Sequence, residues 1–525
     1  MSEPVDSQEA VFRFLADPHT YRLAEPVVRV DTANAVVFLA GSDAYKVKRA
    51  VKFPFMDLST LDKRREACEA EIAVNRDNAP GVYLEALPIV RKGASLAIGG
   101  AGEVVEWVAH LRRFDENATL DRVAERGGVS DAIIDKLALA IKRSHARAPL
   151  RDAARAAHEL ETYIEQNGAA FAAWPDLFPP ADARRLTHES RLAFAIARPA
   201  LLARGVYGYV RRCHGDLHLR NIVLIDGEPT LFDAVEFSDD IASGDVLYDL
   251  AFLLMDLEER GLRPAANRLF NRYLGPEPAQ AMAGLAALPL FLSLRAAIRA
   301  KVEAAGAERL EGERRMRARS LARDYFDRAA RFLRYAPPRL VAVGGLSGAG
   351  KSALAAVLAP RIGRAPGALW LRSDVERKAM FGVEETDHLP ETAYSPDVSR
   401  EVYGRIDDKA RRALSAGHSV VFDATFSSAS DRAAAAQAAS EASLAFDGLF
   451  LEAPLETRLA RLASRGADAS DADARVARAQ RADPLRERGW SPIDASRDLD
   501  RTEATASKRL GVERGYPSGE IERMA

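Results

Sequence analysis

Gly345-Leu346-Ser347-Gly348-Ala349-Gly350-Lys351-Ser352 follows the apolar run Leu340-Val341-Ala342-Val343 and precedes the helix-prone Ala353-Leu354-Ala355-Ala356-Val357-Leu358. A G-x-x-x-x-G-K-S octet between a strand and a helix is a phosphate-binding loop. Its glycines allow a turn so tight that successive N–H groups converge on a phosphate, its lysine reaches the β/γ oxygens, and its serine hydroxyl can ligate Mg²⁺. Gly345, Ser347, Gly348, Ala349, Gly350, Lys351 and Ser352 are therefore the expected nucleotide-binding residues, with Ser352 also a metal ligand.

A second set of phosphotransfer residues lies upstream, in His214-Gly215-Asp216-Leu217-His218-Leu219-Arg220-Asn221-Ile222-Val223-Leu224 and Thr230-Leu231-Phe232-Asp233. Kinase chemistry needs an Asp to accept the proton of the attacking hydroxyl, an Asn five residues on to hold a metal, and an Asp on the next strand to hold the metal that bridges the phosphates. Asp216 fits as the catalytic base, with Asn221 and Asp233 as metal ligands. The segment resembles the aminoglycoside phosphotransferase family, relatives of the protein kinases, whose pattern reads H-G-D-x-H-x-x-N before an apolar strand ending in Asp. That resemblance implies a two-lobed protein-kinase-like fold over residues 1–335, with a small lobe from about 25 to 110 and a large lobe from about 111 to 335.

In such a small lobe a strand lysine pairs with the α/β-phosphates and a glutamate on the following helix holds it. Tyr45-Lys46-Val47-Lys48 offers two lysines on one strand face, because side chains two apart point the same way. Lys46 is preferred and Lys48 is the fallback. On the helical stretch Asp62 to Asn78, Glu71 is the first choice of partner and Glu69 the second. No glycine-rich loop of the protein kinase type precedes the strand; Val30 to Ala35 stands in its place. Asp245 and Asp249 resemble the acidic helix start that supports the catalytic loop, and His214 is expected to anchor the turn.

Downstream of the octet, Ala368 to Arg372 reads as a strand ending in Ser373-Asp374-Val375-Glu376-Arg377, and Ser419 to Phe422 as one ending in Asp423. Ligands of open α/β sheets bind at the carboxyl ends of strands, which places Asp374 beside the phosphate acceptor and Asp423 beside Mg²⁺. Asp374 alternatively caps the helix that follows it. Arg458, Arg461 and Arg465 suit a lid that neutralises the transferring phosphoryl group. Roughly residues 339 to 482, in a domain that runs on to residue 525, resemble the P-loop kinases that include polynucleotide kinase, zeta-toxin-like kinases and gluconate kinase, a branch of AAA-type ATP-binding proteins. That resemblance implies a parallel sheet flanked by helices, with Asp374 as general base and Arg377 as acceptor-binding residue. From about residue 485 the chain reads as a charged tail.

The 525 residues exceed what one hydrophobic core normally supports, and 48% hydrophobic with 29% charged residues is an ordinary globular composition. Seventy-four Lys+Arg against 76 Asp+Glu leave a net charge of -2, so no global field argues for nucleic acid or an anionic membrane. Cys68 and Cys213 lie far apart without metal-ligand spacing, so neither a disulfide framework nor a zinc site is supported and a reducing cytoplasm is the natural reading. The longest apolar stretch, Ala279 to Leu294, contains Pro289 and reads as a buried helix rather than a span. Arg314 to Arg334 reads as an amphipathic helix that buries Leu321, Tyr325, Ala329 and Phe332, and Pro337-Pro338 marks the domain boundary.

The expected protein is thus an α/β and α+β cytoplasmic phosphotransferase with two separate sites. Each uses ATP and Mg²⁺ to phosphorylate the hydroxyl of a small-molecule acceptor. Phosphorylation of a nucleic-acid 5′-hydroxyl by the C-terminal half, and a nucleotide-sensing half without chemistry, are the alternatives.

Overall fold

The computed structural model describes residues 6–53, 56–464 and 469–512. The chain forms two compact units, Met1–Glu159 with Gly208–Leu253, and Leu160–Tyr207 with Leu254–Ala525.

The first unit opens on strands β1 (Val28–Asp31), β2 (Ala35–Ala40) and β3 (Asp43–Lys48), a small hairpin of β4 (Lys52–Phe53) and β5 (Met56–Asp57), and then β6 (Tyr83–Lys92), β7 (Ser95–Ile98) and β8 (Glu103–Arg112). Six of these make one antiparallel sheet in the order β1-β2-β3-β8-β6-β7. Alternation does the sorting: Val36, Phe38, Val47, Ile89 and Val108 turn to one face and pack with Val11, Phe12 and Leu15 of the helix Asp6–Ala16. The helix Leu61–Asn75, started by Thr60 accepting the Lys63 N–H, lies against β6 and β8. Further along, β9 (Val210–Arg212) pairs with β12 (Ser243–Asp245), and β10 (Ile222–Ile225) with β11 (Glu228–Leu231). The β10–β11 hairpin joins the Asp216 loop to Asp233.

The second unit contains a five-stranded parallel sheet: β13 (Arg339–Gly345), β14 (Leu369–Arg372), β15 (Val420–Asp423), β16 (Ala445–Glu452) and β17 (Trp490–Asp494), in the order β14-β15-β13-β16-β17. Parallel strands covered on both faces read as unbroken apolar runs, and Leu340 to Val343 and Val420 to Phe422 are buried throughout. The register sets Val343 opposite Asp423 and Asp423 opposite Arg372, so the carboxyl ends of three strands lie side by side.

The tail expected from residue 485 is instead the sheet's last strand and a helix, Leu499–Leu510, begun by Asp498 accepting the Arg501 N–H. Pro492 weakened the strand pattern, yet β17 is an edge strand, where a missing N–H costs no ladder bond. Ala506 and Leu510 of the helix join the core of Val341, Leu354, Leu449 and Ile493. The Pro337-Pro338 boundary lies within the second unit, because the helices Pro180–Val206, Arg263–Leu274, Leu288–Ala307 and Gly312–Leu333 group with the parallel sheet rather than with the six-stranded one.

Every residue from Leu288 to Ala297 is buried, as the interrupted apolar stretch predicts. Among the described residues no single helix is long and apolar enough to cross a membrane, although the bent pair Ala279–Ala286 and Leu288–Ala307 passes that test together. The helix Gly312–Leu333 buries Tyr325 and Ala329 as expected, together with Ala322 and Phe326, while Leu321 and Phe332 are half-buried.

Candidate active sites

In the first unit Lys46 lies on β3 between Val37 of β2 and Ala109 of β8, which fixes its direction. Its Nζ donates to Glu71 Oε1 and to Asp233 Oδ1, each at 2.7 Å. Burial pulls the Lys46 pKa down, but the Asp233 and Glu71 carboxylates outweigh that and hold it well above the ordinary lysine range. Lys48 is more deeply buried. It pairs with the other Glu71 oxygen at 2.7 Å and with Glu236. The two lysines divide one glutamate between them, and the one that reaches Asp233 is Lys46. Glu69 is exposed and pairs with Arg65 at 3.1 Å, away from this cluster.

The catalytic loop is held from behind. Asp249 accepts the Gly215 N–H at 2.8 Å and the His214 N–H at 3.3 Å, and lies 3.1 Å from His145 Nε2. Asp245 accepts the Leu247 N–H at 2.9 Å at the start of the helix Val246–Glu259. His214 Nε2 donates to Phe232 O at 2.9 Å while Nδ1 accepts the Asp216 N–H at 3.3 Å, a neutral tautomer consistent with a pKa lowered by burial. One imidazole thereby ties the Asp216 turn to the residue before Asp233.

Asn221 Nδ2 donates to both the backbone O and Oδ2 of Asp216 at 3.0 Å. His218 Nε2 lies 3.4 Å from Asp216 Oδ2. Asp233 has φ +60°, a left-handed conformation that costs of order 1–3 kcal/mol in a residue with a side chain. The Tyr83 hydroxyl, accepting the Asp233 N–H at 2.9 Å, holds it there. Asn221 and Asp233 supply only oxygen ligands, the donor type Mg²⁺ requires.

The two lysines differ in expected consequence. Lys48→Met strands Glu236 and leaves the buried Glu71 with Lys46 alone, and should cost about 3–5 kcal/mol of stability, read from denaturant unfolding. Lys46→Met should leave the fold closer to intact, since Lys48 still neutralises Glu71, and should instead weaken nucleotide affinity at this site, measured by titration.

In the second unit the octet occupies the turn from β13 into the helix Lys351–Leu358. Gly348 has φ +81°, and a Cβ there would meet Arg458 O at 2.5 Å, so only glycine fits. Ser352 Oγ donates to Asp423 Oδ2 at 2.7 Å. Burial pushes the Asp423 pKa up, against the opposing Lys351 and Arg372. A buried carboxylate bonded to the loop serine is an all-oxygen donor pair of the kind that suits Mg²⁺.

These groups open on a cavity of about 770 Å³ whose wall includes Lys351, Asp374, Arg377, Asp423, Arg461 and Gln480. The helix Ser373–Phe381 has Arg372 at its cap position with no side-chain cap bond, so Asp374 does not serve as the cap. Among the described residues no hydrogen bond ties the Asp374 carboxylate down. Arg377 is buried, donates to Ala393 O at 2.7 Å and Ser399 Oγ at 3.3 Å, and lies 4.8 Å over the Tyr394 ring. Arg458 Nη1 donates to Ser347 O and Ala477 O at 3.3 Å, and Arg461 Nη1 to Ala349 O at 3.1 Å, so both arginines brace the loop. Arg465 lies outside the described residues.

Sequence reading missed Glu236, Asp471 and Gln480. Asp471 accepts from Lys378 at 3.0 Å, the Leu389 N–H at 3.1 Å and the Tyr394 hydroxyl at 2.5 Å, gathering the cavity wall around one carboxylate. Gln480 Oε1 accepts the Ser347 N–H at 2.8 Å. The only local sign of either was a position in a polar stretch after the lid.

Two nucleotide-type sites built on kinase architecture define the class: the chain carries two kinase-like domains of phosphotransferases. The phosphotransferase enzyme family matches residues 63–288, and the AAA domain family matches residues 340–484. An uncharacterized protein of Mycobacterium tuberculosis (strain ATCC 25618 / H37Rv) is 30% identical over 463 residues, covering 87% of this chain and 90% of that one; an uncharacterized protein of Mycobacterium bovis (strain ATCC BAA-935 / AF2122/97) gives the same figures. The chain belongs to the same family as these proteins. Among solved structures it is similar to a choline/ethanolamine kinase family protein from Mesorhizobium loti (17% identity, 62% of this chain and 94% of that chain, TM-score 0.38). It is also similar to a gluconokinase from Sinorhizobium meliloti 1021 (19% identity, 34% and 98%, TM-score 0.24).

Proposed function

We propose that the chain is a bifunctional ATP-dependent phosphotransferase, passing the γ-phosphoryl of ATP to hydroxyls of small-molecule acceptors at two separate sites in the cytoplasm. The observation that carries this reading is duplication. Each unit holds its own cation for the phosphates (Lys46, Lys351), its own oxygen donors for a metal (Asn221 and Asp233; Ser352 and Asp423) and its own carboxylate placed as a base (Asp216, Asp374).

Mg²⁺, which Asn221 and Asp233 would hold in one unit and Ser352 and Asp423 in the other, would neutralise phosphate charge. The chain's own residues do the rest. Asp216 or Asp374 takes the proton of the acceptor hydroxyl as its oxygen bonds to the γ-phosphorus and the bond to the β-phosphate oxygen breaks. Backbone N–H groups of Gly348, Gly350, Lys351 and Ser352, with the Lys351 ammonium, hold the triphosphate. The C-terminal cavity sets Asp374, Asp431 and Asp473 among Arg372, Arg377, Arg461 and Arg475, a mixed wall that suits a small polar acceptor better than a polyanion. Nucleic acid is therefore not the favoured acceptor.

The test is incubation of the full chain with γ-labelled ATP, Mg²⁺ and a dephosphorylated pool of polar metabolites, reading which compounds gain phosphate. Variants silenced at one site assign each product to its half, and ATP hydrolysis without any labelled product would end the proposal. Once a product of the C-terminal site is known, Arg377→Ala should raise KM for that acceptor by about tenfold or more, as expected for loss of a charge-assisted contact, and leave ATP affinity unchanged.

A further inference from the structure

The strand β14 lies at the edge of the parallel sheet, with β15 on one side only. An edge leaves a row of N–H and C=O groups without strand partners, and such groups must be satisfied when buried. Here two asparagines satisfy them. Asn271 Oδ1 accepts the Trp370 N–H at 2.6 Å, while Asn267 Nδ2 and Asn271 Nδ2 donate to Ala368 O at 3.1 and 3.2 Å. Both project from the helix Arg263–Leu274, one turn apart, and Asn271 Nδ2 also donates to Asn267 Oδ1 at 3.1 Å. The approach is close enough to dictate sequence: Gly367 has φ +114°, and a Cβ on it would meet Asn267 Nδ2 at 2.7 Å.

The same segment supports the helix that follows β14. Glu376, next to Arg377 and two residues past Asp374, forms a buried pair with Lys409, and Lys409 Nζ donates to Gly275 O at 2.9 Å, just past the end of the asparagine-bearing helix. Arg263 Nε donates to Pro360 O at 2.6 Å, and the buried Phe270 and His418 rings lie 5.2 Å apart. Between β14 and Asp374 there is no slack, because Arg372 ends the strand and Ser373 begins the helix.

We propose that the helix Arg263–Leu274 is a positioning element of the P-loop site: through Asn267, Asn271 and the Gly275 carbonyl it sets the strand and helix that carry Asp374 and Arg377. The acceptor side of the C-terminal kinase is thus completed by residues that belong, by family match, to the phosphotransferase domain at 63–288. Assigning these contacts to acceptor chemistry rests on the proposed function. A shift of about 1 Å in a catalytic group can cost about 10² in rate, so support at this distance has a measurable effect.

The test uses the full chain carrying Asp216→Asn, which silences transfer at the first site, with and without Asn271→Ala; Asn267→Ser is the second variant. Hydrogen exchange is followed in 369–381 and in 345–352, together with ATP affinity and labelled transfer to a dephosphorylated metabolite pool. The expected result is exchange raised about tenfold in 369–381 alone, since one edge of a local opening unit has lost its partner. ATP affinity should hold while transfer falls by about 10- to 100-fold. Unchanged exchange in 369–381, or parallel loss of protection, ATP binding and transfer with a lowered melting temperature, would overturn it. If the parent protein transfers no phosphate at all, the kinase reading falls instead, and the exchange arm still decides the support: a selective rise in 369–381 upholds it.

Discussion

Asp216→Asn is expected to leave Mg²⁺-ATP bound at the phosphotransferase site while transfer there falls by about 10² to 10⁴, the range for losing a general base. Asp233→Asn should do the opposite first, weakening Mg²⁺-dependent nucleotide binding. The difference follows from placement. Asp233 touches Lys46, the proposed phosphate-binding cation, whereas Asp216, the proposed base, is bonded to Asn221 and lies beside His218. An amide at 216 keeps shape and can still accept from Asn221, but it takes no proton at neutral pH. An amide at 233 removes the charge that both Lys46 and a metal need, so the buried lysine loses one of the two carboxylates that keep it a cation. Both variants belong in the full chain with Lys351→Ala as background, because cutting at the Pro337-Pro338 boundary would strip the second unit of four of its helices. Nucleotide affinity by titration and product formation by label separate the outcomes. Equal loss of ATP binding in both would refute the assignment of roles.

What the sequence disclosed and what it hid divide by range. The octet at 345–352 and the Asp216, Asn221, Asp233 set are local: their chemistry needs fixed spacing along a turn or a hairpin, so it is written in consecutive residues. Lys46 and Glu71 were legible because a strand and its following helix set their meeting. Glu236, three residues past Asp233, was invisible, since its partner Lys48 lies in another element and nothing local requires an acid there. Gln480 reaches the octet from far downstream for the same reason.

The family matches end at 288 and resume at 340, on either side of Pro337-Pro338, whereas packing groups the helices just before those prolines with the parallel sheet. The contacts of Asn267 and Asn271 with β14 left no trace in hydrophobic periodicity. Two polar residues one turn apart on a helix normally face water, and here that face is turned to a sheet edge. The strand β17 was missed because its five residues include Pro492, a rule that holds for central strands and lapses at an edge.

Lys351→Ala should abolish nucleotide turnover at the P-loop site and spare the phosphotransferase site, because each site draws its cation from its own unit. The ammonium compensates triphosphate charge inside a partly enclosed cavity, where removing one stabilising group costs about 10² to 10³ in rate, before any loss of binding is counted. Asp374→Asn, by contrast, should keep ATP affinity and lower transfer by about 10² to 10⁴. Structure makes this second result diagnostic. The helix Ser373–Phe381 takes no cap bond from a side chain, so the amide removes no structural contact and the melting temperature should stay within about 1 °C, well below the roughly 2–4 °C that a 1 kcal/mol loss produces in a domain of this size. A fall in melting temperature with turnover intact would return Asp374 to a structural role. A loss of both ATP binding and transfer would place it with the nucleotide rather than the acceptor, and would move the search for the base to Asp431, another carboxylate on the cavity wall.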